Sequence, residues 1–207
     1  NFMIGEIASD NSLCGGESAS DVIGLQKIDD MIHDPVNDQL KRIWQYMYEG
    51  VNRSNYMVEN KDKIDFPRKN ELYGEVHFLR AFFYFELVKI YGDVPLFTNG
   101  RLTAGDSGTL KRVSKADVYS VIESDLQTAI GALPAKKSLD GRATSFTAHA
   151  LLGKVYLYQE KFSEAANILE PLVGLYTLPA DPGSVFLVEG ENGPESVFEI
   201  QHSKESN

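Results

Sequence analysis

The apolar positions of this chain recur mainly at helical spacing. Between residues 38 and 60, Leu40, Ile43, Trp44, Met47, Val51 and Val58 define one face of a first helix. Residues 69–91 define a second. There Val76, Leu79, Phe83, Leu87 and Ile90 form one apolar stripe, and Phe78, Phe82 and Phe85 form another beside it. A helix apolar over so much of its circumference belongs between other elements, not on a surface. Gly92 suits a left-handed position after the last turn, and Pro95 cannot continue the helix. Ser114-Lys115-Ala116-Asp117 reads as a capping box opening a third helix, with Val118, Ile122, Leu126, Ala129, Ile130 and Leu133 repeating before Pro134. A fourth helix is predicted over about 144–159, with Ala148, Leu151, Leu152, Val155, Tyr156 and Tyr158, and a fifth over about 163–170, ending at Pro171.

The segments between are polar. Residues 1–37 read as irregular, with turn formers at Ser9-Asp10-Asn11-Ser12 and Gly15-Gly16-Glu17-Ser18. Residues 61–68 read as a charged loop, and 96–109 as a polar one. Val197-Phe198-Glu199-Ile200-Gln201 alternates and predicts a short strand. Between Ala150 and Ala165, Leu152-Gly153, Tyr156, Phe162 and Ala165 sit at the offsets of a tetratricopeptide repeat. Gly153 and Ala165 are small where the paired helices approach, and Tyr156 and Phe162 are expected to fill the wedge. The pairs 38–60/69–91 and 114–132/144–159 extend the same antiparallel layout, since stacked pairs need neighbours to bury their faces. The predicted fold is mostly α: stacked antiparallel helix pairs, an irregular N-terminal segment and a short C-terminal strand.

Composition narrows the function. With 207 residues the chain has room for one domain, at most two. Twenty basic against thirty acidic residues give a net charge of -10. A nucleic-acid partner needs a basic face, so that class is excluded, as is charge-driven attachment to anionic lipid. No apolar run of about eighteen residues is present to span a membrane. The single cysteine, Cys14, has no internal disulfide partner and reads as a small half-buried side chain.

Catalytic patterns are absent from the sequence. His33, His77, His149 and His202 make no close pair at metal-ligand spacing, so no metal or other cofactor is expected. There is no Gly-x-Ser-x-Gly elbow and no phosphate loop. Glu71 and Glu75 share a helix face and read as solvated, and Asp29-Asp30 reads as a solvated turn. Glycoside hydrolysis would need two carboxyls held across a cleft. Arg80 lies inside the most apolar helix and must be paired, by an acid from another helix or by a loop carbonyl. Asn52 and Asn55 are expected to bridge helices by hydrogen bonds.

The second helix and its stop also carry a resemblance. Glu75, Phe78, Leu79, Arg80, Ala81, Tyr84, Phe85, Leu87, Val88, Tyr91, Gly92, Asp93, Val94, Pro95 and Leu96 match the hallmark of the SusD/RagB family of glycan-binding outer-membrane lipoproteins. Trp44, Tyr48, Arg53 and Asn55 resemble its first-helix pattern. Gly141-Arg142-Ala143-Thr144 with Ala148 to Tyr158, and Glu195 to Gln201, resemble two more. The resemblance implies one SusD-like domain over 1–207, irregular over 1–37, with helix pairs over 38–175 and a loop and strand over 176–207. It also implies the N-terminal portion of a longer protein. Leu13 is too large for a lipoprotein cleavage site, so the implied lipidated cysteine would lie upstream of Cys14. The implied function is non-enzymatic capture of oligosaccharides at the outer membrane and delivery to a SusC-like TonB-dependent transporter. Ser9-Asp10-Asn11 is similar to the family's loop leading into the glycan-contacting region, which makes Asp10 and Asn11 candidate ligand contacts, with Glu17 a neighbour. The same residues read equally as an Asx turn closing a loop. Two other functions remain open at this point: a protein-binding repeat scaffold without a sugar site, and a glycosidase using some of the abundant carboxylates.

Overall fold

Helix ends in this chain are set by a few polar side chains. The computed structural model describes residues 2–9, 11–18, 20–106, 108–136 and 139–202. Among them are seven α-helices: α1 (Phe2–Ile7), α2 (Ile23–Asp29), α3 (Asp38–Glu59), α4 (Lys69–Tyr91), α5 (Lys115–Ala132), α6 (Ser145–Tyr158) and α7 (Phe162–Leu169). The mostly α expectation holds, and α3 to α7 fall within a residue or two of their predicted bounds. Ser114 Oγ accepts from the Asp117 N–H at 3.2 Å and donates to the Asp117 carboxylate at 2.7 Å. Thr144 and Thr147 cap α6 reciprocally, each hydroxyl accepting from the other residue's backbone N–H. Gly92 has φ 69° and ψ -122°. The positive φ is as expected, but ψ is that of a type II′ turn, not of the left-handed helix.

The chain divides into two compact units, residues 1–49 and 50–207, with α3 running through the boundary. In the first unit the irregular reading of 1–37 is corrected by α1 and α2. Helices this short depend on packing rather than on intrinsic propensity, so a periodicity search passes over them. Here α1 packs against α2, with Leu25 and Ile28 buried. Asn37 begins α3: its Oδ1 accepts from the N–H groups of Gln39 and Leu40, both at 3.1 Å. Its Nδ2 donates to the Gly24 carbonyl at 2.9 Å.

In the second unit α4 packs on α5, α5 on α6 and α6 on α7, a tetratricopeptide-like stack in chain order. Strands β1 (Val94–Pro95) and β2 (Arg112–Val113) pair antiparallel, and the Lys115 N–H donates to Asp93 Oδ1 at 2.8 Å, so both ends of the intervening loop are tied down. Close helix approach explains two glycines. A Cβ on Gly74 would lie 2.9 Å from the Ala132 Cβ, and one on Gly153 would lie 2.5 Å from Leu169.

Three packing expectations are corrected. The buried side chains of α4 include Tyr73, Phe78, Ala81, Tyr84, Phe85 and Val88, while Leu79 is 42% exposed. Apolar residues around the whole helix hide which stripe faces the core. Phe162 is 62% exposed, and the space beside Gly153 is taken by Leu169. Residues 197–201 form no strand, because no neighbouring strand offers them a ladder among the described residues. Instead Thr147 Oγ1 donates to the Val197 carbonyl at 3.4 Å, and Phe198 packs edge-on against Phe78 with centroids 5.7 Å apart. One side of the segment leans on helices, which is enough to produce the alternation.

Gly153→Ala tests the α6–α7 approach. Alanine gains about 1 kcal/mol of helix propensity, but overpacking against Leu169 costs about 1–3 kcal/mol. The expected result is a net loss of stability in urea unfolding. Gly131→Ala, whose Cβ would meet nothing within 4 Å, is expected to gain stability under the same assay. A stabilised Gly153→Ala would show that Leu169 yields freely.

Candidate functional site

The loop before α2 is held open by carboxylates rather than by a ladder. The Cys14 N–H donates to Asp29 Oδ2 at 2.7 Å, and the Glu17 N–H donates to Asp21 Oδ2 at 2.6 Å. Gln26 Nε2 in turn donates to the Asp21 carbonyl at 2.6 Å. Asp29 is therefore half-buried and bonded, which corrects the solvated-turn reading. At the start of the loop Ser9 Oγ donates to the Glu6 carbonyl at 2.7 Å and accepts from the Asn11 N–H at 3.3 Å. A serine hydroxyl thus makes the turn into Asn11. Asn11 and Glu17 are exposed, and their side chains make no hydrogen bond among the described residues. Asp10, the remaining candidate contact, lies outside the described residues. On the first-unit part of α3, Trp44 and Tyr48 bring their rings to 4.8 Å, and Tyr46 is 59% exposed. Tyr46 was passed over in the sequence, where it falls off the apolar stripe. Its exposure is the only signal that marks it.

The second unit contains a buried polar cluster. Arg80 on α4 reaches Asp125 on α5 with two hydrogen bonds of 2.7 Å, from Nε to Oδ2 and from Nη2 to Oδ1. Its Nη1 donates to Asn55 Oδ1 on α3 at 2.8 Å and to the Thr98 carbonyl at 3.3 Å. His77 Nδ1 lies 2.7 Å from Asp125 Oδ1. Asn55 Nδ2 and the Tyr84 hydroxyl both donate to the Phe97 carbonyl, at 3.0 and 2.7 Å, and the Phe97 N–H donates back to the Tyr84 oxygen at 3.0 Å. Arg80 therefore takes both expected partners, an acid from another helix and a loop carbonyl. Burial alone would push Asp125 up, but the Arg80 and His77 hydrogen bonds outweigh it and hold the carboxyl below its ordinary value. Burial pushes the Tyr84 phenol up to about 12. Asn52 Oδ1 accepts from the Leu102 N–H at 2.8 Å, so it bridges helix to loop, not helix to helix. Among the described residues every buried side-chain N and O has a hydrogen-bond partner, and this cluster spends its bonds on holding the loop after α4.

The carboxylates are similarly engaged. Glu75 is bidentate to Arg142, with Nε to Oε1 at 2.7 Å, tying α4 to the turn before α6. It is not on a solvated face as expected. Burial lifts its carboxyl above the ordinary value against the pull of Arg142. Glu71 pairs with Arg68 at 2.8 Å. His149 Nδ1 sits 2.7 Å from the Ser145 carbonyl of its own helix, and His33 and His202 are exposed. Among the described residues no three His, Cys, Asp or Glu side chains group as metal ligands, and no helix is long and apolar enough to cross a membrane.

Comparison with known proteins places this architecture. A SusD-like family model, described as starch-binding and associating with the outer membrane, matches residues 4–157. A SusD-like protein of Formosa agariphila is 29% identical over 174 residues, 78% of this chain and 34% of that protein. A solved structure of a laminarin-binding SusD-like protein is 30% identical with a TM-score of 0.88, over 95% of this chain and 45% of that one. A SusD superfamily protein from Bacteroides vulgatus is also 30% identical, with a TM-score of 0.81, over 96% and 43% of the two chains. The chain thus spans about a third of its curated relative's length and under half that of each solved one. From the α4 hallmark and its fixed stop to the helix stack, the chain belongs to the SusD-like family.

Proposed function

We propose that this protein captures oligosaccharides at the cell surface without cleaving them and passes them to a TonB-dependent outer-membrane transporter. The observation that carries this reading is the match over 95% of the chain, at 30% identity, to a protein described as laminarin-binding. The family description, starch-binding and associating with the outer membrane, supports the same class and location. On this reading the loop of Asp10, Asn11 and Glu17 meets the sugar. Side-chain amides and carboxylates suit hydroxyl groups, and Asn11 and Glu17 are exposed on a loop whose backbone is already held by Asp21 and Asp29. A ligand would then spend little on ordering the loop.

A glycan array on the full chain, followed by calorimetry with laminarin oligosaccharides, tests this. The expected result is saturable binding of one glycan class, with the oligosaccharide recovered uncut. Asp10→Ala and Asn11→Ala are each expected to weaken that binding about tenfold, the loss of one good hydrogen bond to a ligand. Release of shorter products would overturn the non-catalytic reading. No glycan binding, with a transporter still co-purifying, would favour a protein-binding scaffold.

A further inference from the structure

Two asparagines of this chain are followed directly by glycine, Asn99 and Asn192. Glycine has no Cβ, so its backbone nitrogen is the least hindered nucleophile that a preceding asparagine side chain can meet. The two steps sit in opposite surroundings. We propose that Asn99 is a site of spontaneous deamidation in the folded protein, a slow chemical mark in the loop after α4, and that Asn192 is protected from the same reaction by its hydrogen bonds. No residue that the sugar-capture reading uses takes part.

Asn99 is exposed, and neither its side-chain amide nor the Gly100 N–H makes a hydrogen bond among the described residues. Gly100 has φ 74°, which glycine adopts without strain. A Cβ there would meet nothing nearer than the Glu59 carboxyl at 4.0 Å, so little crowds the step. The chain is fastened on either side of it. The Thr98 carbonyl accepts from Arg80 Nη1 at 3.3 Å, and the Leu102 N–H donates to Asn52 Oδ1 at 2.8 Å. Between these anchors residues 99–101 carry no backbone hydrogen bond among the described residues. The Asn99 side chain can therefore turn onto the next nitrogen without breaking a bond. Asn192 cannot. Its Nδ2 donates to Gln201 Oε1 and its Oδ1 accepts from Gln201 Nε2, both at 3.1 Å. The Gly193 N–H, the nucleophile there, donates to the Gly190 carbonyl at 3.1 Å. Ring closure at Asn192 requires these three bonds to break.

The reaction needs only solvent. The Gly100 nitrogen attacks Asn99 Cγ and gives up its proton to hydroxide or water. The bond from Cγ to the side-chain nitrogen breaks, and that nitrogen leaves as ammonia, forming a five-membered succinimide. Water then opens the ring. Breaking the bond from the Gly100 nitrogen to Cγ gives aspartate. Breaking the bond from that nitrogen to the former Asn99 carbonyl carbon gives isoaspartate, whose backbone is one methylene longer. Nothing is oxidised or reduced. Either product adds a negative charge beside Arg101, whose guanidinium lies over the Tyr56 ring at 4.3 Å. The longer isoaspartate must also fit between the anchors at Thr98 and Leu102.

The test incubates the full chain in warm, mildly alkaline buffer, with and without urea. Each asparagine is followed by peptide mapping in a mass spectrometer and by isoaspartyl methyltransferase labelling. In buffer, Asn99 is expected to convert at least about tenfold faster than Asn192, whose three hydrogen bonds must open first. In urea the two are expected to convert at similar rates, which assigns the difference to the fold. Gln201→Ala removes both side-chain bonds of Asn192 and is expected to raise its rate in buffer while leaving that of Asn99 unchanged. Asn99→Gln is expected to abolish isoaspartate at that position. Equal rates at the two sites in buffer, no conversion of Asn99 in buffer while the urea sample converts, or an Asn192 rate unmoved by Gln201→Ala would each overturn the proposal.

Discussion

Replacing Asp125 with alanine is expected to lower the free energy of unfolding by about 3–5 kcal/mol, the cost of leaving a buried cation without its counter-charge. Arg80 is almost fully enclosed, and two of its three nitrogens end on this one carboxylate. Asn55 and the Thr98 carbonyl still accept from Nη1, but neither carries charge. Urea unfolding of the variant measures the loss. The double variant Arg80→Met, Asp125→Leu removes both charges and is expected to recover most of it, because an apolar pair of similar volume usually replaces a buried ion pair at little cost. A loss below about 1 kcal/mol in the single variant would mean that water enters and solvates Arg80.

The same carboxylate sets a pH dependence. Its folded value lies below the ordinary 3.8, so the folded state binds fewer protons there than the unfolded chain. By linkage, the stabilisation is complete above about pH 4 and is lost as pH falls from there through the depressed folded value. Asp125→Asn is expected to flatten that part of the acid limb and leave the profile above pH 5 unchanged in shape.

The presence and bounds of the long helices were legible in the sequence because their causes are local: an apolar repeat, a Ser or Thr cap, a glycine or proline stop. What partners a buried charge was legible only as a requirement. Arg80 had to be satisfied, but Asp125 is 45 positions away and nothing local couples the two. Glu75 was misread for the same reason, since its partner Arg142 lies 67 positions on. The short helices α1 and α2 and the pseudo-strand at 197–201 depend on what they touch, so a pattern search misjudged all three. Only the packing separates a glycine that neighbours compel, such as Gly153, from one such as Gly131, where a Cβ would meet nothing within 4 Å.

Tyr84→Phe is expected to cost about 1–3 kcal/mol, and the loss should be concentrated in the loop that follows α4. The Tyr84 hydroxyl donates to the Phe97 carbonyl and accepts from the Phe97 N–H, an exchange of two hydrogen bonds between α4 and the loop. Phenylalanine keeps the ring and its packing but removes both hydrogen bonds, each worth about 0.5–1.5 kcal/mol net. The carbonyl keeps Asn55 Nδ2 and so is spared. Hydrogen exchange distinguishes local from global damage. Amides of 97–106 are expected to lose protection, while those of α5 and α6 decline only by the change in global stability. Since Asn52 and Asn55 hold the same loop from α3, Asn55→Ala on the Tyr84→Phe background is expected to cost more than the two losses taken separately. Strict additivity would mean that the two side chains hold the Phe97 backbone independently, and the network would then be a set of separate hydrogen bonds.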